Sequence, residues 1–129
     1  MKKFAFTKAE RLTSQRQIRQ LLESGMTHTI YPFRIYWMVD SGCNKPSIQV
    51  AFSVSKKRFK KAVVRNLIKR RVREAYRQHK ELLRPFSANE NCLSILFVYI
   101  SDEVLPYSMI AEKLTRTLQH LISCYEKSH

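Results

Sequence analysis

Between Lys56 and Arg84 the chain carries thirteen Lys and Arg against two acids, Glu74 and Glu81, and this density of cations constrains it more than any other feature. The thirteen are Lys56, Lys57, Arg58, Lys60, Lys61, Arg65, Lys69, Arg70, Arg71, Arg73, Arg77, Lys80 and Arg84. Most sit in a stretch from about Val63 to Leu83, closed by Pro85, whose spacing reads as a long helix. At about 100° per residue, Arg65, Lys69, Arg73, Arg77 and Lys80 share one face, flanked by Asn66 and Arg70. Val64, Ile68, Val72, Ala75 and His79 fall opposite, with Leu83 at the edge of that side. One face therefore suits a core, and the other presents a ladder of cations. A solvating face intersperses Glu with Lys, whereas like charges at i, i+4 repel by a few tenths of a kcal/mol. The ladder asks for an anionic partner, and its excess of Arg favours phosphate, which the planar guanidinium binds bidentately.

The rest of the chain narrows the choice of polyanion. Twenty-four Lys and Arg against ten Asp and Glu give 129 residues a net charge of +14, most of it in that one segment. Charge of that order disfavours a compact state unless nucleic acid, an anionic membrane or an acidic protein neutralises it. No apolar run approaches the roughly 20 residues of a spanning helix. The start, Met1-Lys2-Lys3-Phe4, resembles a signal peptide, but Lys8, Glu10 and Arg11 follow and no hydrophobic stretch does. Cys43, Cys92 and Cys124 are odd in number and far apart, without CxxC pairs or histidines at finger spacing. Reduced thiols in the cytoplasm, with no membrane partner, are the expectation. The length suits one RNA-binding domain over residues 1–129.

The coarse order of elements is α-β-β-α-β-α, an α+β class with helices on a small sheet. A first helix is expected from Gln15 to Ser24, with Ser14 and Gln17 at capping-box spacing and Gly25 at its stop. Phe33, Ile35, Trp37 and Val39 alternate with Arg34, Tyr36, Met38 and Asp40, a half-buried strand. After a loop from Ser41 to Pro46 comes a second strand with Ile48, Val50, Phe52 and Val54 on one face. The apolar run from Leu93 to Ser101 reads as a central strand. Ile110, Leu114, Leu118, Leu121, Ile122 and Tyr125 mark a last helix over about Tyr107 to Tyr125. Met26 to Tyr31 has room for another short strand.

Two further surfaces bear on chemistry. Ala51, Ser53 and Ser55 line the polar side of the second strand beside Tyr36 and Arg34 on the first, a low floor with one aromatic on which extended RNA can lie. A hydrolytic centre is poorly supported. Asp102 and Glu103 are the only adjacent acids, whereas a two-metal nuclease needs several convergent carboxylates. His28, His79 and His120 are lone in sequence and read as structural or solvated. No phosphate-binding glycine loop, dinucleotide fingerprint or nucleophile elbow is present.

At this point the residues resemble one family closely. Val54-Ser55-Lys56-Lys57 followed by Ala62-Val63-Val64-Arg65-Asn66-Leu67-Ile68-Lys69-Arg70-Arg71-Val72-Arg73-Glu74-Ala75-Tyr76 is similar to the signature of the bacterial ribonuclease P protein component. That signature is an Arg-Asn-Arg helix entered from a strand ending in Ser-x-Lys-Lys. Arg11-Leu12 and Gly25 around the first helix, Phe33 with Tyr36, and Leu118-Gln119-His120-Leu121 extend the resemblance across most of the chain.

The resemblance implies a two-layer α/β sandwich, order α-β-β-(β)-α-β-α, with a left-handed β-α-β crossover, against the usual handedness. It implies a non-catalytic protein subunit, with the active site and magnesium ions in the RNA subunit. The partners are then the catalytic RNA and precursor tRNA, whose single-stranded 5′ leader lies in a cleft between the sheet and the first helix. Carried over, Arg65, Asn66, Lys69, Arg70, Arg73 and Arg77 face the catalytic RNA. Lys56, Lys57, Arg58, Lys60 and Lys61 bind phosphate, and Tyr36, Arg34, Ser53, Ser55, Ile18 and Leu22 line the cleft. The chain departs from the pattern in three places. Leu67 stands at the second signature Arg, so that contact is missing or supplied by a neighbour such as Arg71. Ile18 and Leu22 stand where the family often has Phe, and aliphatic side chains forgo base stacking worth ~1–3 kcal/mol each. Arg58-Phe59-Lys60-Lys61 lacks a glycine often found there.

Three rivals stand beside this reading. A ribosomal or ribosome-assembly protein explains the charge but not the spaced signature, and the RNA co-purified from cells discriminates the two. A protein-only nuclease is recognised by cleavage without RNA. A helix-turn-helix DNA binder lacks a second short helix abutting the basic one.

Overall fold

The computed structural model describes residues 10–41, 47–85 and 91–128. Helix α1 spans Gln15–Ser24, strands β1, β2 and β3 span Met26–Ile30, Phe33–Ser41 and Ser47–Val54, and helix α2 spans Ala62–His79. A 3-10 turn, Lys80–Leu83, leads to strand β4, Asn91–Tyr99, and helix α3 closes the fold over Tyr107–Ser128. The short strand allowed for at Met26 to Tyr31 is β1, and the long basic helix tightens to 3-10 geometry for its last turn. The loop expected up to Pro46 lies, beyond Ser41, outside the described residues, as does the N-terminal segment before Glu10.

The sheet order is β1-β2-β4-β3. β1 and β2 form an antiparallel pair, β2 pairs antiparallel with β4, and β3 pairs parallel with β4. A parallel pair cannot be closed by a tight turn, so α2 makes the β3-to-β4 crossover. The alternation read in sequence sorts the faces. Phe33, Ile35, Trp37, Val50, Val54, Leu93, Ile95, Phe97 and Tyr99 point into the main core, where Ile68, Val72, Ala75 and Tyr76 of α2 and Ile110, Leu114, Leu118, Leu121 and Tyr125 of α3 cover them. Tyr76 sets its ring edge-on to Phe52 and Phe97 at centroid distances of 5.8 and 6.2 Å.

The opposite sheet face carries a smaller cluster, in which α1 contributes Leu21 and half-buried Ile18 against Leu96, Tyr36, Met38, Ala51 and Val98. Ser14 caps α1 by accepting from the Gln17 N–H at 3.3 Å. Gly25 ends it through close approach, not through a left-handed backbone: its φ is −69°, its N–H donates to Leu21 O at 2.9 Å, and a Cβ there meets that oxygen at 2.5 Å.

His28 and His120, far apart in sequence, come together in the fold: their rings stack at 3.5 Å between β1 and α3, with Cys124 Sγ 3.3 Å from His120 Nε2, a structural role as expected. One sequence expectation changes. Cys92 is disulfide-bonded, against the expectation of reduced thiols, whereas Cys124 takes no part in a disulfide and Cys43 lies outside the described residues. Among the described residues no helix is long and apolar enough to cross a membrane.

Candidate nucleic-acid interface

The basic segment begins where β3 ends. Ser55 accepts from the Lys57 N–H through Oγ (3.1 Å) and from the Phe59 N–H through its carbonyl (3.1 Å), folding the chain back at once. Phe59 is buried, its ring 6.1 Å from that of Tyr99, and so pins the loop while Lys56, Lys57, Lys60 and Lys61 stay exposed around it. Arg58 differs from these lysines in being paired with Asp102 at 2.7 Å. Lys61 is the N-cap of α2, with no side-chain capping bond, and the helix has no acid in its first turn. Cations at the positive end of a helix dipole are unfavourable unless an anion joins them, so a negative charge would be favoured at this terminus.

Along α2 the sequence-expected residues separate into two groups. Asn66, Arg70 and Arg73 are exposed and Lys69 is half-buried, and none of the four has a side-chain partner among the described residues. They form the open cationic face. Arg65 instead donates to the carbonyls of Phe59 and Lys60, both at 2.9 Å, and holds the lysine loop in shape. Arg77 is chelated by Glu74 through Nε at 3.0 Å and through a second, shorter bond from Nη2. These bonds and a further one from Gln78 lower the Glu74 carboxyl from 4.5 to about 2, and Glu74 in turn raises the Arg77 guanidinium. Arg71, one candidate to replace the signature Arg at Leu67, donates to Leu105 O at 2.6 Å.

The residues expected to line a cleft lie on the α1 side of the sheet. Register sets Thr29 opposite Arg34, Arg34 opposite Val98, and Val98 beside Ser53, a row across all four strands. Neighbouring strands lie about 4.8 Å apart, so the row is about 14 Å wide. Thr29, Arg34 and Ser53 are exposed, and Arg34 Nε reaches Thr29 Oγ1 at 3.5 Å. The next row, Thr27, Tyr36, Leu96 and Ala51, runs beneath the edge of α1, with Tyr36 half-buried. Ile18 packs into that cluster, whereas Leu22 is 51 % exposed. Ser55 stands where the floor meets the lysine loop. Thr27 and Thr29 were missed in sequence, although alternation through Met26–Ile30 would have found them. Among the described residues no group of three or more His, Cys, Asp or Glu is placed to hold a metal ion.

The protein-family model described as Ribonuclease P matches residues 6–125. The ribonuclease P protein component of Citrifermentans bemidjiense is 45% identical over 121 residues, covering 93% of this chain and 95% of that one. That of Porphyromonas gingivalis is 33% identical over 116 residues, 89% and 85% of the two chains. Among solved structures, the RNase P protein from Thermotoga maritima superposes with a TM-score of 0.67 at 22% identity, over 86% of this chain and 96% of that one. The Staphylococcus aureus RNase P protein gives a TM-score of 0.67 at 22% identity, over 88% and 96%. These structural likenesses carry the fold.

Proposed function

Because this chain belongs to the bacterial ribonuclease P protein family, and is thus the protein component of that ribonucleoprotein endonuclease, we propose a division of labour between its two polar surfaces. The open α2 face, Asn66, Lys69, Arg70 and Arg73, docks on the catalytic RNA together with Lys56, Lys57, Lys60 and Lys61. The row of Thr29, Arg34 and Ser53, with Tyr36 and Ser55, receives the single-stranded 5′ leader of precursor tRNA. Arg65 and Arg58 shape the loop between the two surfaces, and Arg77 is held in reserve by Glu74.

The observation that carries this reading is continuity. β3 runs from the sheet floor through Ser55 directly into the lysine loop and the unpaired cations of α2. An RNA held on α2 and a leader laid on the sheet therefore meet at one strand end. The protein's role is electrostatic and positional: it neutralises phosphates and orients the leader. Magnesium would belong to the holoenzyme, with no residue of this chain proposed to hold it, and the site of action is the cytoplasm.

The test is reconstitution with the cognate catalytic RNA, followed by precursor tRNA cleavage at limiting magnesium. Added protein is expected to lower the magnesium requirement, and protein freed of RNA is expected to leave the precursor intact. Chelator-sensitive cleavage by RNA-free protein would sink the proposal. A Tyr36→Ala protein that still prefers precursor over mature tRNA as wild type does removes the leader from the sheet face.

A further inference from the structure

The chain changes layers within three residues. Glu10 lies on the α2 side, where both carboxylate oxygens accept from Lys80 Nζ at 2.9 Å. Arg11 forms a parallel bridge with Val50 on the edge of β3 away from β4, and the Leu12 N–H donates to Val50 O at 2.9 Å. Leu12 is then buried on the other face with Leu21 and Leu96, and Ser14 caps α1 two residues later. The segment is a strap over the free edge of β3, tied at one end to the last turn of the basic helix and continuous at the other with α1.

We propose that the Glu10–Lys80 pair positions α1, and through it the width of the leader cleft, so that Lys80 acts on leader recognition from the opposite side of the sheet. This rests on the cleft reading above. Three observations support it. Helix α1 buries only Leu21 completely, so its own packing fixes it weakly. Its C-terminal end is joined to β1 by Gly25 alone, leaving the strap as the restraint on its N-terminal end. The pair is also sheltered, with side chains 17% and 24% exposed, which screens it less than a surface pair. Lys80 falls on the cation ladder in sequence, yet in the fold it faces its own N-terminal segment and serves as a positioning residue.

The experiment uses reconstituted holoenzyme carrying Glu10→Gln, Lys80→Met, or the exchange Glu10→Lys with Lys80→Glu. The first readout is the ratio of affinities for precursor and mature tRNA. Each single variant is expected to lower it about fivefold, and the exchange to restore most of the loss. The second readout is amide hydrogen exchange of free protein, where Leu12 and Ile18 are expected to exchange about fivefold faster in the single variants while α2 and β4 amides hold. Glu10→Gln keeps the Lys80 cation, so its effect cannot come from a lost phosphate contact. Unchanged exchange at Leu12 and Ile18 overturns the strap. Faster exchange with an unchanged affinity ratio overturns its role in leader recognition. A wild-type ratio of one, with Tyr36→Ala equally silent, overturns the cleft reading and this proposal with it, and faster exchange in the variants then identifies the cleft as the part that failed.

Discussion

Arg71 donates to the carbonyl oxygen of Leu105 at 2.6 Å, while the Leu105 N–H donates to the Tyr99 hydroxyl at 3.2 Å. Both backbone groups of this buried residue thus depend on side chains from two other elements. Arg71→Met is expected to leave the carbonyl without its donor and cost ~1–3 kcal/mol of stability. Urea unfolding measures the loss, and the salt dependence of RNA binding should stay as in wild type. Leu67→Arg is expected to act oppositely, steepening log affinity against log salt by about one with little change in the melt.

The open face of α2 is tested by Arg70→Ala with Arg73→Ala. Neither side chain is committed to another described group, so the fold should melt as wild type. The slope of log affinity for the catalytic RNA against log salt should fall by about one to two. Arg65→Ala is expected to differ, because it frees the carbonyls of Phe59 and Lys60. It should increase proteolytic nicking in the lysine loop. A double variant of Arg70 and Arg73 that binds RNA at wild-type strength places the docking face elsewhere.

Glu74 links pH to stability. Its carboxyl is lowered from 4.5 to about 2, first by the hydrogen bonds from Arg77 and then by that from Gln78. A lowered carboxylate contributes stability above its unfolded value and loses it as pH falls through the folded one. Wild type should therefore exceed Glu74→Gln in stability near neutral pH, by less than about 1 kcal/mol for so exposed a pair. The gap should close between pH 4.5 and about 2. At neutral pH the same variant releases Arg77 and should steepen the salt dependence by up to about one. Melts across that range, beside RNA titrations, check both halves.

The elements were legible because each has a strong period: two in β2 and β3, and 3.6 in α2 and α3. What a helical wheel cannot show is which cations are answered by the fold. Arg65, Arg77 and Lys80 share a stripe with Arg73, but their partners are two loop carbonyls, a carboxylate one turn back, and Glu10 seventy residues away. Ile18 and Leu22 lie one turn apart on α1, and only the way the helix lies against the sheet decides that Ile18 is sheltered while Leu22 is not. Thr27 and Thr29 are hard to read from sequence because β1 is only five residues long, and so brief an alternation assigns a face weakly.

Ile18 and Leu22 therefore take different fates under substitution. Leu22 is exposed on α1, and on the proposed leader reading Leu22→Phe is expected to raise the preference for precursor over mature tRNA by up to ~1–3 kcal/mol through base stacking. Ile18 sits in the small cluster under α1, and Ile18→Phe is expected to overpack it at ~1–3 kcal/mol of stability. Thermal melts and leader-dependent affinities on both variants separate them.

The sheet order sets a timetable for synthesis. β3 leaves the ribosome before the strand that will lie beside it, and β4 must be inserted between β2 and β3 after the whole of α2 has been made. Until Tyr99 emerges, the nascent chain holds a hairpin, an unpaired strand and a basic helix whose Ile68, Val72 and Tyr76 have no complete sheet to cover. Non-local closure of this kind folds slowly and late. A ribosome stalled just short of Asn91 should therefore display a chain that proteases still cut throughout, and one stalled after α3 has cleared the exit tunnel should display one that they do not.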